Sequence, residues 1–226
     1  MDKRVILIGD IHGCWSEFQE ILTKLAYQKK RDRLISLGDL IHKGPDSVSV
    51  VRYFIKNELE VLRGNHEDCL LKALLGEREM YPEATEILEH CGLSKKKLIA
   101  WLRAMPLYLK EKDFLAVHAG FSPWCKLSEN KEQDYFTVRT ADAEHEKLSS
   151  KASGDGLEPW YKAFSDKRES DRIVAFGHWA GPRIKHYKNM WGLDTGCCYG
   201  GKLTALVLPS QKLVQVSSHQ TRQFDY

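Results

Sequence analysis

The sequence lacks any apolar run long enough to cross a membrane. No stretch approaches the roughly 18 apolar residues that a spanning helix needs. The apolar run that follows Arg4 is too brief for a secretory signal, and no small-residue cleavage site comes after it. We therefore expect a cytoplasmic protein that does not associate with a membrane.

Cysteine is sparse, and its spacing argues against a disulfide scaffold. The six cysteines include no C-x-x-C pair, so reduced thiols in a cytoplasmic setting are the simpler interpretation. Cys197 and Cys198 are adjacent, and neighbouring side chains on a strand point to opposite faces, which argues against a redox pair. Few cysteines lie near the motifs described below, so we do not expect a structural zinc site.

The charge is balanced, with no long block of either sign. Lysine and arginine number 34 against 31 acidic residues, which leaves a formal net charge of +3. This balance argues against stable nucleic-acid binding. With 226 residues and 42% apolar composition the chain can bury a substantial core, so we expect a single domain over residues 1–226 that acts as a monomer.

Apolar runs alternate with helical patterns through the first third of the chain. Strand-like runs at 4–8, 34–37 and 59–62 enclose two helical patterns, at 15–26 and 46–56. This β-α-β-α-β order is typical of a layered α/β domain.

The rest of the chain is first helical and then rich in strand patterns. A helical stretch over 66–105 ends before Pro106. Strand candidates follow at 107–109, 114–117, 173–176, 191–193, 203–208 and 213–216, which predicts a second sheet. Polar segments at 149–156 and 166–171 are predicted to be surface loops.

Short polar motifs stand where the predicted strands end. GDIHG (9–13), GD (38–39) and GNHE (64–67) follow the first three strands, and HAG (118–120) and GH (177–178) follow two later ones. Loops beyond the carboxyl ends of parallel strands are where open α/β sheets bind their ligands. The side chains expected at one rim are Asp10, His12, Asp39, Asn65, His118 and His178, with His66 as a further histidine.

This set of side chains has a chemical meaning. Carboxylate, amide oxygen and imidazole together suit divalent ions such as Mn²⁺, Fe²⁺ and Zn²⁺. A carboxylate can bridge two ions about 3.5 to 4 Å apart, and such a pair can activate water and clamp a phosphoryl group. The pattern therefore predicts a two-metal hydrolase of phosphate esters or phosphoanhydrides.

At this point the motifs resemble a known family. GDIHG, GDLIHKGPDS, RGNHE, VHAG and FGHWA resemble, in order and spacing, the motifs of the PPP-type metallophosphatases. GLDTGCCYGGKLTA (192–205) is similar to the C-terminal signature of the bacterial diadenosine-tetraphosphatase and ApaH-like branch. The resemblance implies an α/β, calcineurin-like metallophosphoesterase fold, a four-layer sandwich of two mixed β-sheets flanked by helices.

The resemblance also implies a role for each residue of the set. Asp10 and His12 would bind one metal ion, Asp39 would bridge, and a second ion would be bound by Asn65, His118 and His178. His66 would be the general acid, and Asn65 and Arg139 would contact the substrate phosphate; for Arg139 a solvated helix position is the alternative. Mn²⁺ is the expected metal, with Fe, Zn, Co or Ni as alternatives.

One pair of residues departs from the protein phosphatases of this family. They carry Asp-Arg where this chain reads His42-Lys43. Lys43 keeps a positive charge for phosphate binding but loses the planar, bidentate grip of arginine. His42 cannot supply the carboxylate that orients the catalytic histidine, so the partner of His66 is left open. Lysine followed by Gly-Pro resembles the ApaH-like branch.

The expected function follows from that branch. We expect hydrolysis of dinucleoside polyphosphates, related 5′-5′ caps or polyphosphate by hydroxide bound to the two metals. A broad-specificity serine/threonine or tyrosine phosphoprotein phosphatase is the alternative with the same chemistry, and an inert metal-binding scaffold is the alternative of another class. Trp124 and Trp179 adjoin the motifs, where they would either stack on a nucleotide base or pack in the core.

Overall fold

Two five-stranded sheets form the framework of the chain in a computed structural model that describes residues 4–163 and 172–221. The strands, in chain order, are β1 (Arg4–Ile8), β2 (Asp32–Ser36), β3 (Glu60–Val61), β4 (Tyr108–Lys110), β5 (Phe114–Val117), β6 (Thr140–Asp142), β7 (Lys147–Ser149), β8 (Glu158–Pro159), β9 (Ile173–Phe176), β10 (Lys185–Tyr187), β11 (Met190–Gly192), β12 (Lys202–Leu208) and β13 (Lys212–Ser217). Their order is β13-β12-β1-β2-β3 in the first sheet and β10-β11-β9-β5-β4 in the second, and β7-β6-β8 form a small third sheet.

Both large sheets are mixed, and their parallel parts carry the polar motifs. In the first sheet β1, β2 and β3 are parallel, while β12 runs antiparallel to β1 and β13 antiparallel to β12. In the second sheet β5, β9 and β11 are parallel and lie between two antiparallel edge strands. Parallel neighbours end at the same edge, so the loops that follow β1, β2 and β3 share one rim, as do those that follow β5, β9 and β11.

The helices are α1 (Trp15–Lys24), α2 (Ser47–Asn57), α3 (Asn65–Leu75), α4 (Pro82–His90), α5 (Lys95–Ala104) and α6 (Glu132–Thr137). The start of α2 shows how the sequence sets these boundaries, because the Asp46 carboxylate accepts a hydrogen bond from the Ser49 amide at 2.9 Å. Pro82 stands in the first turn of α4, where its missing amide proton costs nothing.

Alternation of side chains along the strands builds the layers. Ile6 and Ile8 pack against helices on the outer face of the first sheet, whereas Leu7 points into the apolar layer between the two sheets. In the second sheet Ala116 faces that same inner layer and Leu115 faces an outer layer that includes the fully buried Trp160. Period-two burial of this kind is what two stacked sheets require.

The predicted fold class is confirmed: two mixed sheets with flanking helices make a layered α/β structure. The strands predicted from apolar runs are present with shifts of one or two residues at their ends. The small third sheet, β10 and α6 were not predicted. The third sheet consists of two- and three-residue strands without apolar alternation, so no periodic signal marks them.

The two predicted loops have different outcomes. Residues 150–157 contain neither helix nor strand, in agreement with the predicted loop at 149–156, while 166–171 lies outside the described residues. Within 4–163 and 172–221, no helix combines the length and apolarity that crossing a bilayer requires. The single-domain organisation of residues 1–226 stays a prediction.

Candidate metal centre and active site

Five segments that follow strands bring the six predicted side chains together. Asp10 and His12 follow β1, Asp39 follows β2 and Asn65 opens the helix after β3. His118 directly follows β5, and His178 stands two residues beyond β9. Both large sheets therefore contribute to one centre, as the strand-end rule predicts.

Asp39 lies at the middle of this centre. Its Oδ2 is 3.4 Å from Nε2 of His118, 3.6 Å from Nε2 of His12 and 3.9 Å from Nε2 of His66. Only 2% of Asp39 is exposed to solvent. One buried carboxylate thus faces three imidazole nitrogens that come from both sheets.

Asn65 and Asp10 extend the centre on either side of Asp39. The Asn65 Oδ1 lies 3.1 Å from His118 Nε2 and 2.9 Å from His178 Nδ1. The Asp10 carboxylate accepts hydrogen bonds from the backbone amide of His178 at 3.1 and 3.0 Å, and its Oδ2 lies 3.9 Å from His12 Nε2. Two overlapping groups of donors result, one around Asp10, His12 and Asp39 and one around Asp39, Asn65 and the two later histidines.

The donor set fits divalent cations. The Nδ1 of His12 lies 2.8 Å from the Ile41 carbonyl and the Nδ1 of His118 lies 2.9 Å from the Leu37 carbonyl, so each Nδ1 carries the proton. Each Nε2 lone pair then faces the Asp39 carboxylate. Both groups are hydrogen-bond acceptors, so a cation or an added proton must lie between them to stabilise the arrangement.

The pKa values agree with a demand for positive charge. Burial, the largest influence, would lower the pKa of His118, but the neighbouring Asp39 raises it to about 10. Burial would likewise raise the pKa of Asp39, yet His118 and the other histidines hold it well below its usual range. Burial lowers the pKa of His178 to about 2, so that ring stays neutral and its buried Nε2 has no partner among the described residues. A neutral ring such as that of His178 is the form in which histidine binds a metal, and the proton that Asp39 favours on His118 marks a position where a cation can take its place.

The backbone at these ligands is strained. His12, Asp39 and His178 have φ values of 48°, 52° and 63°, in the left-handed region that non-glycine residues seldom adopt. Such conformations persist where surrounding contacts enforce them, and they cluster at functional sites. A side chain at Gly177 would collide with the Asp10 carboxylate, so close backbone approach explains the glycine beside that histidine.

Glu67 supports the centre and was not predicted. Its carboxylate accepts hydrogen bonds from the amides of Asp39 at 2.8 Å, Leu40 at 2.8 Å and Gly64 at 3.0 Å. Burial first and the charge of Asp39 second raise the pKa of Glu67 to about 7. The sequence signal was its place three residues after Gly64, where a glutamate closes a capping box at a helix start.

His42 lies against His66 and so occupies the place of the orienting partner. The two Nδ1 atoms are 2.5 Å apart, and the Nε2 of His42 lies 2.7 Å from the hydroxyl of Tyr81. Burial lowers the pKa of His66 to about 3 against the opposing charge of Asp39. The three side chains form one hydrogen-bonded chain that ends beside the metal ligands.

The predicted phosphate-binding cations lie at two sides of the centre. The Nζ of Lys43 is 3.2 Å from Nε2 of His12 and lies 5.2 Å from the centroid of the Tyr199 ring. Arg139 is half-buried, donates to the Ser150 carbonyl at 2.9 Å, and is close enough to contribute to the low pKa of His178. Trp124 and Trp179, proposed for base stacking or core packing, pack against the outer apolar layer of the second sheet.

Asp194 and Lys185 are two further charged residues beside the centre that sequence reasoning missed. Asp194 is 4% exposed, accepts a hydrogen bond from the Gly196 amide at 3.0 Å, and with burial raises the pKa of Asp10. Lys185 has its pKa lowered by burial, while Asp194 and Asp10 oppose that shift. Asp194 stands two residues beyond the parallel strand β11, so the strand-end rule that found the other ligands also covers it.

A cavity of about 510 Å³ adjoins the centre on the side of His66. Its lining includes the ligand Asn65 together with the His66, His42 and Tyr81 chain. Cationic Lys72 and Arg78 and the ring of Phe136 also line it. A volume of this size suits a small-molecule ligand. Lys72 is paired at 2.7 Å with Asp68, which also lines the cavity, so Arg78 is the cation that suits an anionic ligand.

Comparisons with known proteins agree with this geometry. Residues 3–219 match the calcineurin-like phosphoesterase family. A symmetrical bis(5′-nucleosyl)-tetraphosphatase from Wigglesworthia glossinidia brevipalpis is 32% identical and the match covers 94% of this chain and 98% of that protein. The enzyme of the same name from Cellvibrio japonicus (strain Ueda107) is 33% identical over 92% of this chain and 96% of its own length.

Solved structures show the same architecture. A crystal structure provisionally assigned as a diadenosine tetraphosphatase has a TM-score of 0.83 at 26% identity and covers 96% of this chain and 95% of its own. A protein serine/threonine phosphatase from Saccharomyces cerevisiae has a TM-score of 0.65 at 15% identity and covers 99% of this chain and 82% of its own. The second likeness shows the fold alone.

Proposed function

The chain belongs to the calcineurin-like phosphoesterases and is a metal-dependent phosphohydrolase, and from that premise we propose that it cleaves the phosphoanhydrides of dinucleoside polyphosphates. Related 5′-5′ caps and polyphosphate belong to the same substrate class. The observation that carries the proposal is the convergence of ligands from both sheets on the buried Asp39. Support for the nucleotide comes from the two tetraphosphatase relatives, which match over nearly their whole length.

Two divalent cations fit the two overlapping donor groups. Asp10 and His12 would hold one, Asp39 would be shared, and a second would be held by Asn65, His118 and His178. When bound, such ions lower the pKa of water and neutralise the charge on a transferring phosphoryl group. We propose Mn²⁺ as the metal and the cytoplasm as the location, with the protein acting as a monomer.

The chain's own residues supply a proton path to the leaving group. We assign the tautomers in which the Tyr81 hydroxyl donates to Nε2 of His42 and Nδ1 of His42 donates to Nδ1 of His66. That tautomer leaves the proton of His66 on Nε2, the nitrogen that faces the metal ligands. His66 therefore presents an N–H to the leaving oxygen. As this proton moves to the leaving oxygen, Nδ1 of His66 takes the proton of His42 and Nε2 of His42 takes the hydroxyl proton of Tyr81, so both imidazoles stay neutral and the negative charge passes to the Tyr81 oxygen.

The cavity next to His66 supports a large, anionic leaving group. A proton donor contacts the leaving oxygen, so the remainder of the leaving group must lie on the same side, where the cavity is. Arg78 lines that cavity and would pair with phosphate oxygens, whereas Lys72 is paired with Asp68. Lys43, beside His12, and Arg139, near His178, would bind the phosphate that is attacked.

A substrate panel tests the proposal. Metal-stripped protein is reloaded with Mn²⁺, Zn²⁺ or Mg²⁺ and assayed on diadenosine tetraphosphate, capped RNA, polyphosphate and phosphopeptides. We expect the highest kcat/KM on a nucleotide anhydride with Mn²⁺. Cleavage of phosphopeptides with none of diadenosine tetraphosphate would replace the proposal by a phosphoprotein phosphatase. Metal binding with no turnover on any substrate would leave an inert scaffold.

A further inference from the structure

A second cluster of metal-ligating side chains lies outside the strand-end centre and shares no residue with it. Cys14 precedes α1, Glu17 lies in the first turn of that helix, and Cys197 comes shortly before β12. One ligand atom from each, two Sγ and a carboxylate oxygen, lie within 4.8 Å of one another. Cys14 and Glu17 are 0% exposed and Cys197 is 2% exposed. Folding has therefore brought together two thiols and a carboxylate from distant parts of the chain in a dry environment.

Glu17 holds a polar atom that no described residue satisfies. Its Oε1 accepts a hydrogen bond from the backbone amide of His219 at 2.8 Å, and the side chains of Ser218 and Gln220 approach it at 3.4 Å. Its Oε2 is buried and has no hydrogen-bond partner. Leaving a buried polar atom without a partner costs about 1 to 3 kcal/mol. The Glu17 carboxylate, which contributes an oxygen to the cluster, thus carries a buried atom in need of a cation or a donor.

The two thiols of the cluster contact each other. A hydrogen bond with Cys14, together with burial, raises the pKa of Cys197. Cys198, the next residue, is also buried and is close enough to Cys14 for the two side chains to interact electrostatically. All the cysteines are free thiols in the structure, so none of these sulfur atoms is consumed by a disulfide.

We propose that Cys14, Glu17 and Cys197 bind a single thiophilic divalent cation of the zinc class, separate from the paired ions at Asp39. Two thiolates and a carboxylate are a donor set that zinc uses, at about 2.3 Å from sulfur and 2.0 to 2.2 Å from oxygen. Ligand atoms within 4.8 Å of one another can share one ion at those distances. The nearby Cys198 supplies a further thiol where the tetrahedral set needs a fourth ligand.

The bound cation would cross-link two segments that are distant in the sequence. Cys14 stands two residues after the metal ligand His12, and Cys197 stands three residues after Asp194, beside the same centre. A cation bound between them ties the first strand-end loop to the segment that leads into β12. Its role is structural, because three of its coordination positions are filled by buried protein groups.

Cobalt spectroscopy separates this site from the strand-end centre. Full-length protein is purified with a reductant, stripped with chelator and titrated with Co²⁺. The centre around Asp39 offers only oxygen and nitrogen donors, so a thiolate-to-cobalt charge-transfer band in the near ultraviolet can come only from a cysteine site. We expect this band in the wild type, with uptake of about three ions per chain, two at the centre and one at the thiols.

Three variants complete the test. The double variant Cys14→Ser with Cys197→Ser should lose the charge-transfer band and the third ion while keeping the two ions at the centre. Cys91→Ser replaces a buried cysteine outside the cluster and should keep the band and all three ions. Glu17→Gln keeps the thiols and should weaken affinity for the third ion about tenfold or more.

The proposal is overturned if wild-type protein at saturating Co²⁺ shows no charge-transfer band, or if the band persists in the double variant. If Glu17→Gln binds the third Co²⁺ ion with the affinity of the wild type, Glu17 is not a ligand and the assignment is refuted. Should the double variant not fold, the wild-type spectrum and Glu17→Gln decide the question without it.

Discussion

The contact between His42 and His66 yields the sharpest test of the proton path. We predict that His42→Gly slows turnover while both metal ions stay bound. Glycine tolerates the φ of 72° found at this position, so the loop can keep its course. The variant removes the hydrogen bond at 2.5 Å that fixes the tautomer of His66.

The size of the effect follows from what is removed. Leaving a buried hydrogen-bonding group without its partner costs about 1 to 3 kcal/mol. Each 1.4 kcal/mol or so in the activation barrier is a factor of ten in rate, so kcat should fall roughly 5- to 150-fold. Tyr81→Phe, which removes only the hydroxyl at the far end of the chain, should produce a smaller loss.

The assay compares leaving groups of different basicity. Aryl phosphates with leaving-group pKa values over a wide range are hydrolysed by wild type, His42→Gly and the exposed-histidine control His90→Asn. Because a proton donor matters most for a basic leaving group, the loss in His42→Gly should grow with leaving-group pKa. His42→Asp, which also tolerates a positive φ, supplies a carboxylate to His66 and should recover much of the rate.

Equal losses across all leaving groups would refute the reasoning, since a purely structural defect does not distinguish them. Loss of metal ions from His42→Gly would do the same, because the effect would then come from the neighbouring ligands. Metal analysis of each variant therefore accompanies the kinetics.

Four further predictions address other parts of the molecule. Asp39→Asn should weaken binding of both active-centre metals by about 100-fold or more and leave far-UV circular dichroism unchanged; normal turnover at saturating metal would count against the shared role of Asp39. Glu67→Gln leaves a single carbonyl oxygen for the three amides that Glu67 binds, so the melting temperature should fall by about 2 to 12 °C, and an unaltered melting curve would contradict its supporting role. Arg78→Ala should raise KM for diadenosine tetraphosphate about tenfold and leave KM for p-nitrophenyl phosphate unchanged, and a rise for both would place Arg78 outside the leaving-group cavity. Burial would raise the pKa of Asp32, but hydrogen bonds from Arg4 and the Gln28 amide lower it. The stability that the Asp32 carboxylate contributes is therefore complete above its unfolded pKa of about 3.9 and is lost as pH falls through the lower folded pKa. The difference in unfolding free energy between wild type and Asp32→Asn, measured by urea unfolding, should vanish in that acidic range.

The convergence of the candidate metal ligands was predictable because these residues obey a local rule. Asp10, Asp39 and His118 each follow a strand whose apolar pattern is plain in the sequence, and parallel strands deliver their loops to one rim. Asp194 follows the parallel strand β11 and obeys the same rule, but it was identified only within the C-terminal motif at 192–205 and was not assigned to the centre. The rule predicts which loops share a rim, but it does not predict the distances between their side chains.

Contacts made by tertiary packing were not predictable. Nothing in the sequence around His42 indicates that its ring contacts Tyr81, which directly precedes α4. Cys14 and Cys197 looked too scattered for a metal site, because their meeting depends on β12 pairing with β1. The short strands of the third sheet were missed because they are held by tertiary context and carry no apolar period.

The position of β12 has a consequence for how the enzyme is made. Ile8 pairs with Ala205, and the same strand β1 pairs with β2 on its other side. During synthesis β1 therefore leaves the ribosome long before its antiparallel neighbour exists, and until then one of its edges is unpaired. Pairings so remote along the chain close slowly. Assembly of the first sheet must wait until β12 has been synthesised, so metal loading is expected only after that point. A nascent chain cut short before β12 should need chaperones to stay unaggregated.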